Sequence, residues 1–370
     1  MKLFNKPTRT ISVRFGYVAA VLSIAGSLQI TNAPISAAAP NPASCFSTSG
    51  TTIRTITDYN VAGAGCGALV EIPSTIGGGT VVNIGTFAFY DKAITSVIIP
   101  NTVTTIGDHS FYNSPQLSSV VIPNSVVSIS DSAFESTGLT SVTIPNSVTS
   151  IGSTAFARTN ITSIVIPSSI TSISDYAFGD NNFLESVTIP NSVTSIGDGS
   201  FYSSNISSIT IPNSVISIGG SAFYYNHLTS VTIPNSVISI GDYAFNANRI
   251  STVNLGNSLV SIGDNAFSNN NIRSVTIPDS VTTIADNAFY LQSPHEHDIY
   301  IDIYDDDKTI AQAAVNKIWY VQLFTENPAN PRGFDDKIIF ETEELDGLDN
   351  DYDEPFIAGG YIVNPTTANL

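Results

Sequence analysis

The sequence predicts a mostly β solenoid of about ten coils, because two kinds of residue recur with a period of 22 or 23. The first marker is a proline, which Gly256 replaces once, and the second is a phenylalanine eleven residues later. A fixed period in this range is typical of coils that stack along one axis. The prolines are Pro73, Pro100, Pro123, Pro145, Pro167, Pro190, Pro212, Pro234 and Pro278. The phenylalanines are Phe111, Phe134, Phe156, Phe178, Phe201, Phe223, Phe245, Phe267 and Phe289, with Phe89 in the first copy.

Each coil begins with an extended strand, as residues 228–245 (LTSVTIPNSVISIGDYAF) illustrate. Val231 and Ile233 alternate with polar residues, so both are expected to face the core while Thr232 faces outward. β-Branched residues suit such a strand. Pro234 then ends the backbone pairing, because it has no N–H group to donate and its φ is fixed.

The second half of the coil returns the chain to the core. Val237 and Ile240 are expected to point inward again. A glycine and Asp242 then make a corner, where Asp242 is expected to cap a short helical turn that holds Ala244 and Phe245. The small Ala244 lets the coil close, and Phe245 fills the back of the core.

A small polar residue stands three positions after most of the marker phenylalanines. One coil cannot satisfy all of its own backbone groups, so these side chains are expected to bond to the backbone of an adjacent coil. We therefore interpret them as structural. They are Thr137, Thr159, Asn181, Ser204, Asn226, Asn248 and Asn270.

The complete repeat, LxxVxIPxxVxxIxxxAFxxN, resembles the BspA-like leucine-rich repeats of bacterial surface proteins. Ten copies fill residues 69–290. The resemblance implies a curved right-handed solenoid with a strand on one face, and a role in adhesion or surface recognition. Members of that family often have cysteine at the inner polar position, where this chain has Asn, Thr or Ser. Such a resemblance predicts the architecture of a protein more firmly than it predicts the function.

Residues 1–38 have the pattern of a signal peptide. Four basic residues lie within positions 2–14, an apolar segment follows at 15–30, and small residues at 36–39 offer a cleavage site. An uncleaved membrane anchor is the alternative, but polar residues make the apolar segment short and weak for that role. We therefore expect a secreted or cell-surface protein that is not inserted in a membrane after cleavage.

The two cysteines lie in residues 39–68, which are expected to form an N-terminal cap. In an exported protein Cys45 and Cys66 are expected to form one disulfide that protects the open end of the solenoid. A reactive or metal-binding pair is the other possibility, although no CxxC spacing and no neighbouring histidine supports it.

Residues 291–370 differ from the repeats and are predicted to form an acidic α+β module or C-terminal cap. Strands are predicted at 299–304, 318–324 and 337–340, with a short helix over 308–316. The segment holds 17 acidic and four basic residues, which leaves a net charge of −13, and the whole chain has a net charge of −18. This balance argues against nucleic acid and anionic membranes as partners, since both select a basic surface.

Two clusters in this acidic module have metal-ligating side chains. Asp349, Asp351 and Asp353 have the alternate spacing of the first calcium ligands of an EF-hand loop, but Glu354 and Gly360 stand where that loop needs glycine and glutamate. The segment His295–Glu296–His297–Asp298 departs from the HExxH pattern of zinc enzymes. A solvated acidic loop is favoured over calcium, and no metal or cofactor is predicted.

One outward row of the predicted strands is the candidate binding surface. Uncharged side chains recur at this position, where they offer a flat face for an extracellular protein or glycan, although threonine also suits any exposed strand. The predicted function is therefore recognition without catalysis; a self-associating envelope protein is the alternative. An enzyme would depend on the acidic module, and ice binding is disfavoured because the TxT spacing is absent. The row is Thr143, Thr188, Thr210, Thr232, Asn254 and Thr276, joined by Val165.

Overall fold

Short parallel β-strands, stacked coil upon coil, make up most of the computed structural model. The structure describes residues 40–285, 287–290, 292, 300–304, 320–324 and 337–341, which belong to one unit, Ala39–Leu370. The one helical element in this part of the chain is a 3-10 turn, Ala43–Cys45. The strands are β1 Phe46–Ser49, β2 Ile53–Tyr59, β3 Leu69–Glu71, β4 Thr75–Ile76, β5 Gly79–Ile84, β6 Ser96–Ile98, β7 Thr105–Ile106, β8 Ser119–Val121, β9 Ser128–Ile129, β10 Ser150–Ile151, β11 Ser163–Val165, β12 Ser172–Ile173, β13 Ser186–Thr188, β14 Ser195–Ile196, β15 Ser217–Ile218, β16 Ser230–Thr232, β17 Ser239–Ile240, β18 Thr252–Asn254, β19 Ser261–Ile262, β20 Ser274–Ile277, β21 Thr283–Ile284, β22 Tyr300–Tyr304, β23 Tyr320–Phe324 and β24 Lys337–Glu341.

Most coils contribute a strand to each of two parallel ladders. The first ladder consists of the predicted strands, and we call its outer surface the strand face; in β16 and β18, Val231 pairs with Val253. The second ladder consists of two-residue Ser–Ile or Thr–Ile strands, and β12, β14, β15, β17, β19 and β21 are successive neighbours in it. This second ladder was not predictable from the sequence, because two residues are too few to show an alternating pattern.

A continuous column of phenylalanine rings fills the core. The ten marker rings from Phe89 to Phe289 are each at most 1% exposed. Consecutive ring centroids are 4.8–5.8 Å apart and the planes lie within 15° of parallel. Tyr59 of β2 extends the column at its N-terminal end, 5.3 Å from Phe89. The predicted core position of Phe245 is confirmed.

The predicted inner polar residues join each coil to its neighbour. The Asn248 amide nitrogen donates to the carbonyl of Phe223 at 2.9 Å and to that of Phe245 at 3.1 Å. The Asn248 carbonyl oxygen accepts the Leu228 N–H at 3.0 Å. All of these groups are buried, so the structural interpretation is confirmed. Asn270 makes the equivalent three bonds. Asn181 and Asn226 likewise donate to the phenylalanine carbonyl of the preceding coil, and their oxygens accept the N–H groups of Thr159 and Ile206.

This inner row continues beyond the predicted end of the repeats. Gln292 stands three residues after Phe289, and its amide nitrogen donates to the carbonyls of Phe267 and Phe289 at 3.0 Å each. Its carbonyl oxygen accepts the Ile272 N–H at 2.9 Å. A glutamine therefore takes the part of the asparagines, which a pattern of Asn, Ser and Thr does not include. Ser204 is the opposite exception, since its buried hydroxyl has no hydrogen-bond partner among the described residues.

The expectation that Asp242 caps a helical turn is wrong. Asp242 lies in a turn, and its Oδ1 accepts the N–H of Asp264 in the next coil at 2.8 Å. Tyr243 and Ala247, on either side of the core phenylalanine, have φ of 59° and 55°. A right-handed helix cannot pass through such residues. The aspartate therefore bonds between coils rather than within its own turn.

The N-terminal cap confirms the predicted disulfide. Cys45 and Cys66 are bonded to each other, with their Cα atoms 5.5 Å apart. β1 pairs with β2 in antiparallel orientation, and β2 in turn lies parallel to β5. β4 and β5 form a hairpin, in which Gly77 and Gly78 have φ of 56° and 81°.

Three strands extend the strand-face ladder after the last repeat. β22 pairs in parallel with β20, β23 pairs in parallel with β22, and β24 pairs antiparallel to β23. These strands confirm the strands predicted at 299–304, 318–324 and 337–340. The predicted signal segment, residues 1–38, and the predicted helix over 308–316 lie outside the described residues.

Candidate functional site

The six residues predicted to bind a partner form one exposed row along the strand face. Thr232 pairs in register with Asn254, whose amide nitrogen donates to the Thr232 hydroxyl at 3.4 Å. Val165 and Thr188 are partners in the same way. Thr143 and Thr210 occupy the same repeat position in coils where the segment is not assigned as a strand. Together with Val165, the six residues thus lie on a single column of consecutive coils, and β22 continues this ladder with Asp302 in register with Thr276.

The same row is mostly aliphatic in the N-terminal half of the solenoid, where Thr143 is the exception. Ile98 and Val121 pair in register, and their side chains are 43% and 54% exposed, while Val165 is 66% exposed. In β3 the row position is Glu71, which pairs with Ile98. Leu69, two positions before Glu71 on the same face of β3, is 72% exposed. The sequence analysis included Val165 but missed the other three, although Ile98 and Val121 stand at the threonine position of the repeat. The row therefore combines exposed aliphatic groups at one end with hydroxyl groups at the other.

An open depression of about 960 Å³ lies at the hydroxyl end of the strand face. Residues of β18 and β20 line it, among them Asn254 and Thr276. Backbone and side-chain hydrogen-bonding groups are therefore accessible beside the last predicted binding residues.

A second surface cluster, which the sequence analysis missed, consists of five tyrosines. We call Tyr176, Tyr202, Tyr224, Tyr225 and Tyr243 the tyrosine patch. They stand one or two residues from the core phenylalanine in four coils, on the turns rather than on the strand face. Burial, together with the charge of Asp180, raises the pKa of Tyr202. Tyrosine at these turn positions in neighbouring coils is the signal that could have revealed the patch.

Neither of the two histidines within the described residues forms an ion pair with a carboxylate. His227 Nδ1 bonds to the side-chain oxygen of Asn205. The His109 ring lies 4.9 Å from the Phe87 ring and 5.5 Å from the Tyr112 ring. A catalytic triad needs a histidine held by an acid beside a nucleophile, and these contacts do not supply that arrangement.

The candidate metal ligands of the acidic module are not part of the described structure. Asp349, Asp351, Asp353 and the segment His295–Asp298 all lie outside the described residues. Within the described ranges, no group of three or more His, Cys, Asp or Glu side chains is placed to hold a metal ion. The same ranges contain no helix with the length and apolar character to cross a membrane.

The model of the BspA type leucine rich repeat region matches residues 69–185 and 171–295 of this chain, with six copies. The two segments together span residues 69–295, which is more than half of the chain. No protein of curated function matches the sequence.

Solved structures similar to this chain include bacterial leucine-rich repeat proteins. A leucine rich cell surface protein from Faecalibacterium prausnitzii is 22% identical, with 70% of this chain and 86% of that chain covered and a TM-score of 0.41. A leucine-rich repeat protein from Bacteroides ovatus is 18% identical, with 76% and 98% covered and a TM-score of 0.41. The pneumococcal vaccine antigen PcpA is 15% identical, with 76% and 92% covered and a TM-score of 0.43.

Proposed function

The chain belongs to the BspA-type leucine-rich repeat family, and from this premise we propose that it is a secreted or cell-surface recognition protein that binds an extracellular partner through its strand face. The partner class is an extracellular protein, with a glycan as the other ligand that the hydroxyl end of the row suits. The N-terminal sequence pattern and the disulfide support an extracellular location. In this proposal the protein binds its ligand and catalyses no reaction on it.

The exposed aliphatic residues of the strand-face row are the observation that carries this proposal. Ile98, Val121 and Val165 are 43–66% exposed although the solenoid core is complete without them. The row from Ile98 to Thr276 includes no charged residue, and depletion of charge distinguishes the centre of protein interfaces from the rest of the surface. A partner that covers the row buries these aliphatic groups, and adjacent threonine hydroxyls set its orientation.

The test compares two triple variants on a panel of purified extracellular matrix proteins and glycans. Replacing Thr188, Thr210 and Thr232 with lysine places three charges on the strand face, and we expect at least a tenfold loss of affinity for any partner bound there. The matched control places lysine at Ile216, Ile238 and Val260, which directly precede β15, β17 and β19 and are 48%, 47% and 38% exposed. If the strand-face variant is folded and binds as well as the parent protein, the strand face is not the site.

Self-association in a cell envelope is a second candidate, and the aliphatic end of the row supports it. Two copies facing each other would bury Leu69, Ile98 and Val121 against the same residues, as in an isologous interface. Light scattering across a range of protein concentrations separates the two candidates. A mass that rises with concentration, and that lysine at Ile98 and Val121 returns to that of a monomer, supports self-association.

A further inference from the structure

The tyrosine patch is a continuous aromatic surface across four coils. The Tyr202 and Tyr224 rings stack with their centroids 5.2 Å apart and their planes at 7°. Tyr176 stands across Tyr202 at 6.2 Å and 60°, and Tyr243 stands across Tyr224 at 6.5 Å and 71°. Tyr225 lies 6.2 Å from Tyr224. Stacked and crossed rings of this kind stabilise each other's positions, so the patch is pre-arranged.

The repeat does not require tyrosine at these positions. Two residues before the core phenylalanine, several other coils have small or polar residues such as Ser132 and Thr154. Directly after it, some coils have residues such as Ala157 and Ser268, although tyrosine also stands there at Tyr90, Tyr112 and Tyr290. The phenylalanine column already fills the core. Even so, Tyr176, Tyr225 and Tyr243 are 44%, 63% and 40% exposed. Aromatic area concentrated on the surface in this way is typical of a binding site.

Gly199 leaves the space that the Tyr176 ring occupies. It stands at the repeat position that Tyr176 and Tyr243 fill in other coils, with φ of 57°. A Cβ atom at Gly199 would lie 2.3 Å from Cε1 of Tyr176 and 2.5 Å from its Cδ1. The neighbouring coils carry side chains at this position, so the fold tolerates them there. The missing side chain therefore determines where the Tyr176 ring lies.

The polar groups beside the patch favour an uncharged ligand. The Arg158 guanidinium is engaged by two carboxylates, Glu135 at 3.0 Å and Asp180 at 3.2 Å. Asp180 lies close enough to Tyr202 to raise the pKa of its hydroxyl, although burial contributes more. The chain as a whole has a net charge of −18. An anionic ligand would be repelled, whereas sugar hydroxyls can donate to a carboxylate and exchange hydrogen bonds with tyrosine hydroxyls.

We propose that the tyrosine patch binds a neutral polysaccharide, with sugar rings packed against the exposed tyrosines and sugar hydroxyls bonded to Asp180 and the tyrosine hydroxyls. A pyranose ring presents a face of C–H groups that packs against an aromatic ring, while its rim is covered with hydroxyl groups. The Tyr202 and Tyr224 rings cover each other's facing sides, so the sugar rings would pack against the exposed rings of Tyr176, Tyr225 and Tyr243. This site lies on the turns of the coils, and its ligand class does not depend on what the strand face binds.

The test measures the affinity of the full-length protein for soluble polysaccharides by calorimetry and by the change in tyrosine fluorescence. The neutral probes are a linear β-glucan and a mannan, and the anionic probes are alginate and hyaluronan. We expect saturable binding of at least one neutral probe and at least tenfold weaker binding of both anionic probes. Replacing Tyr176, Tyr225 and Tyr243 with serine should weaken the neutral interaction at least tenfold while the far-UV circular dichroism stays unchanged.

Two further variants make the result specific. Gly199→Ala adds one methyl group outside the core and should weaken polysaccharide binding by displacing the Tyr176 ring. The variant with lysine at Thr188, Thr210 and Thr232 should bind polysaccharide like the parent protein, because the strand face is not involved. No saturable binding to either neutral probe, equal binding to the anionic probes, or full binding by the folded serine variant would each overturn the proposal.

Discussion

Asn248 shows how single side chains hold this molecule together. Each coil leaves buried carbonyl and N–H groups at its inner turn, and one amide side chain satisfies groups of its own coil and of the preceding coil. A buried backbone group without a partner costs about 1–3 kcal/mol, so the amide is needed wherever water is excluded. Asp242 does similar work at the outer corner, where its carboxylate accepts the N–H of Asp264.

Replacing Asn248 with alanine should lower the free energy of unfolding by about 2–3 kcal/mol, because several buried backbone groups lose a partner at once. Chemical denaturation measures this change. Asn248→Thr is the matched control, since threonine stands at the equivalent position 137, where its hydroxyl donates to the carbonyl of Phe134 at 2.8 Å, and it should cost less than alanine. An alanine variant as stable as the parent protein would mean that water replaces the amide.

Replacing Phe245 with alanine should cost about 3–5 kcal/mol, as for other large buried aromatic residues. Phe245 is fully buried between the rings of Phe223 and Phe267, so its loss opens a cavity in the column. Tyr243→Ala, two residues away and 40% exposed in the parent protein, should change stability by about 0.5 kcal/mol or less. Denaturation curves that shift equally for both variants would contradict the central role of the column.

At the scale of elements, the N-terminal cap closes the open edge of the solenoid by covalent and ionic contacts. The disulfide fixes the loop that follows β2, and Lys92 Nζ of the first coil lies 2.8 Å from Asp58 Oδ1 of β2. The hydrogen bond from Lys92 holds the pKa of Asp58 below its usual value of 3.8. An unpaired strand edge is a template for association with other chains, and β2 covers that of β5.

The Asp58–Lys92 contact predicts a pH dependence of stability. Because the folded-state pKa of Asp58 is depressed, its contribution is fully present above the unfolded pKa near 3.8 and is lost as the pH falls through the lower folded value. The free energy of unfolding of the parent protein should therefore decline more steeply below about pH 4 than that of Lys92→Met.

Denaturation of both proteins at a series of pH values measures this difference. Added salt should reduce it, because Asp58 is largely exposed. Parallel curves for the two proteins throughout the acid range would show that Lys92 does not stabilise the Asp58 carboxylate.

At the scale of the whole molecule, the repeats were predictable from sequence and the departures from them were not. The Phe245 column and the Asn248 row recur at a fixed spacing, so a pattern reveals them. Gln292 departs from the repeat. Tyrosine follows the core phenylalanine in only some coils, so a fixed spacing does not predict the Tyr202–Tyr224 contact. The hydroxyl groups of the strand-face row were predictable because threonine recurs there, whereas Ile98 at its aliphatic end differs in chemistry from the recurring residue.

A stack of equivalent coils should survive the removal of one whole coil. Deleting residues 228–249 removes 22 residues and joins His227 to Ile250, which stands at the position of Leu228 in the next repeat. We expect a folded protein with a cooperative transition, because each coil contacts mainly its neighbours. Deleting only residues 228–238 is the control; it breaks the period and should abolish cooperative unfolding as followed by circular dichroism.

The bonds between coils also determine how the protein would respond to mechanical tension. The phenylalanine stack, the inner asparagine row and the outer aspartates together connect each coil to the next. A pull along the axis is therefore carried through one coil-to-coil interface after another. We expect coils to detach one at a time from the end of the repeats, each lengthening the tether by its 22 or 23 residues. The disulfide between Cys45 and Cys66 locks the loop that it closes against extension. A partner bound to the strand face would thus be attached through a tether that lengthens in steps as coils detach.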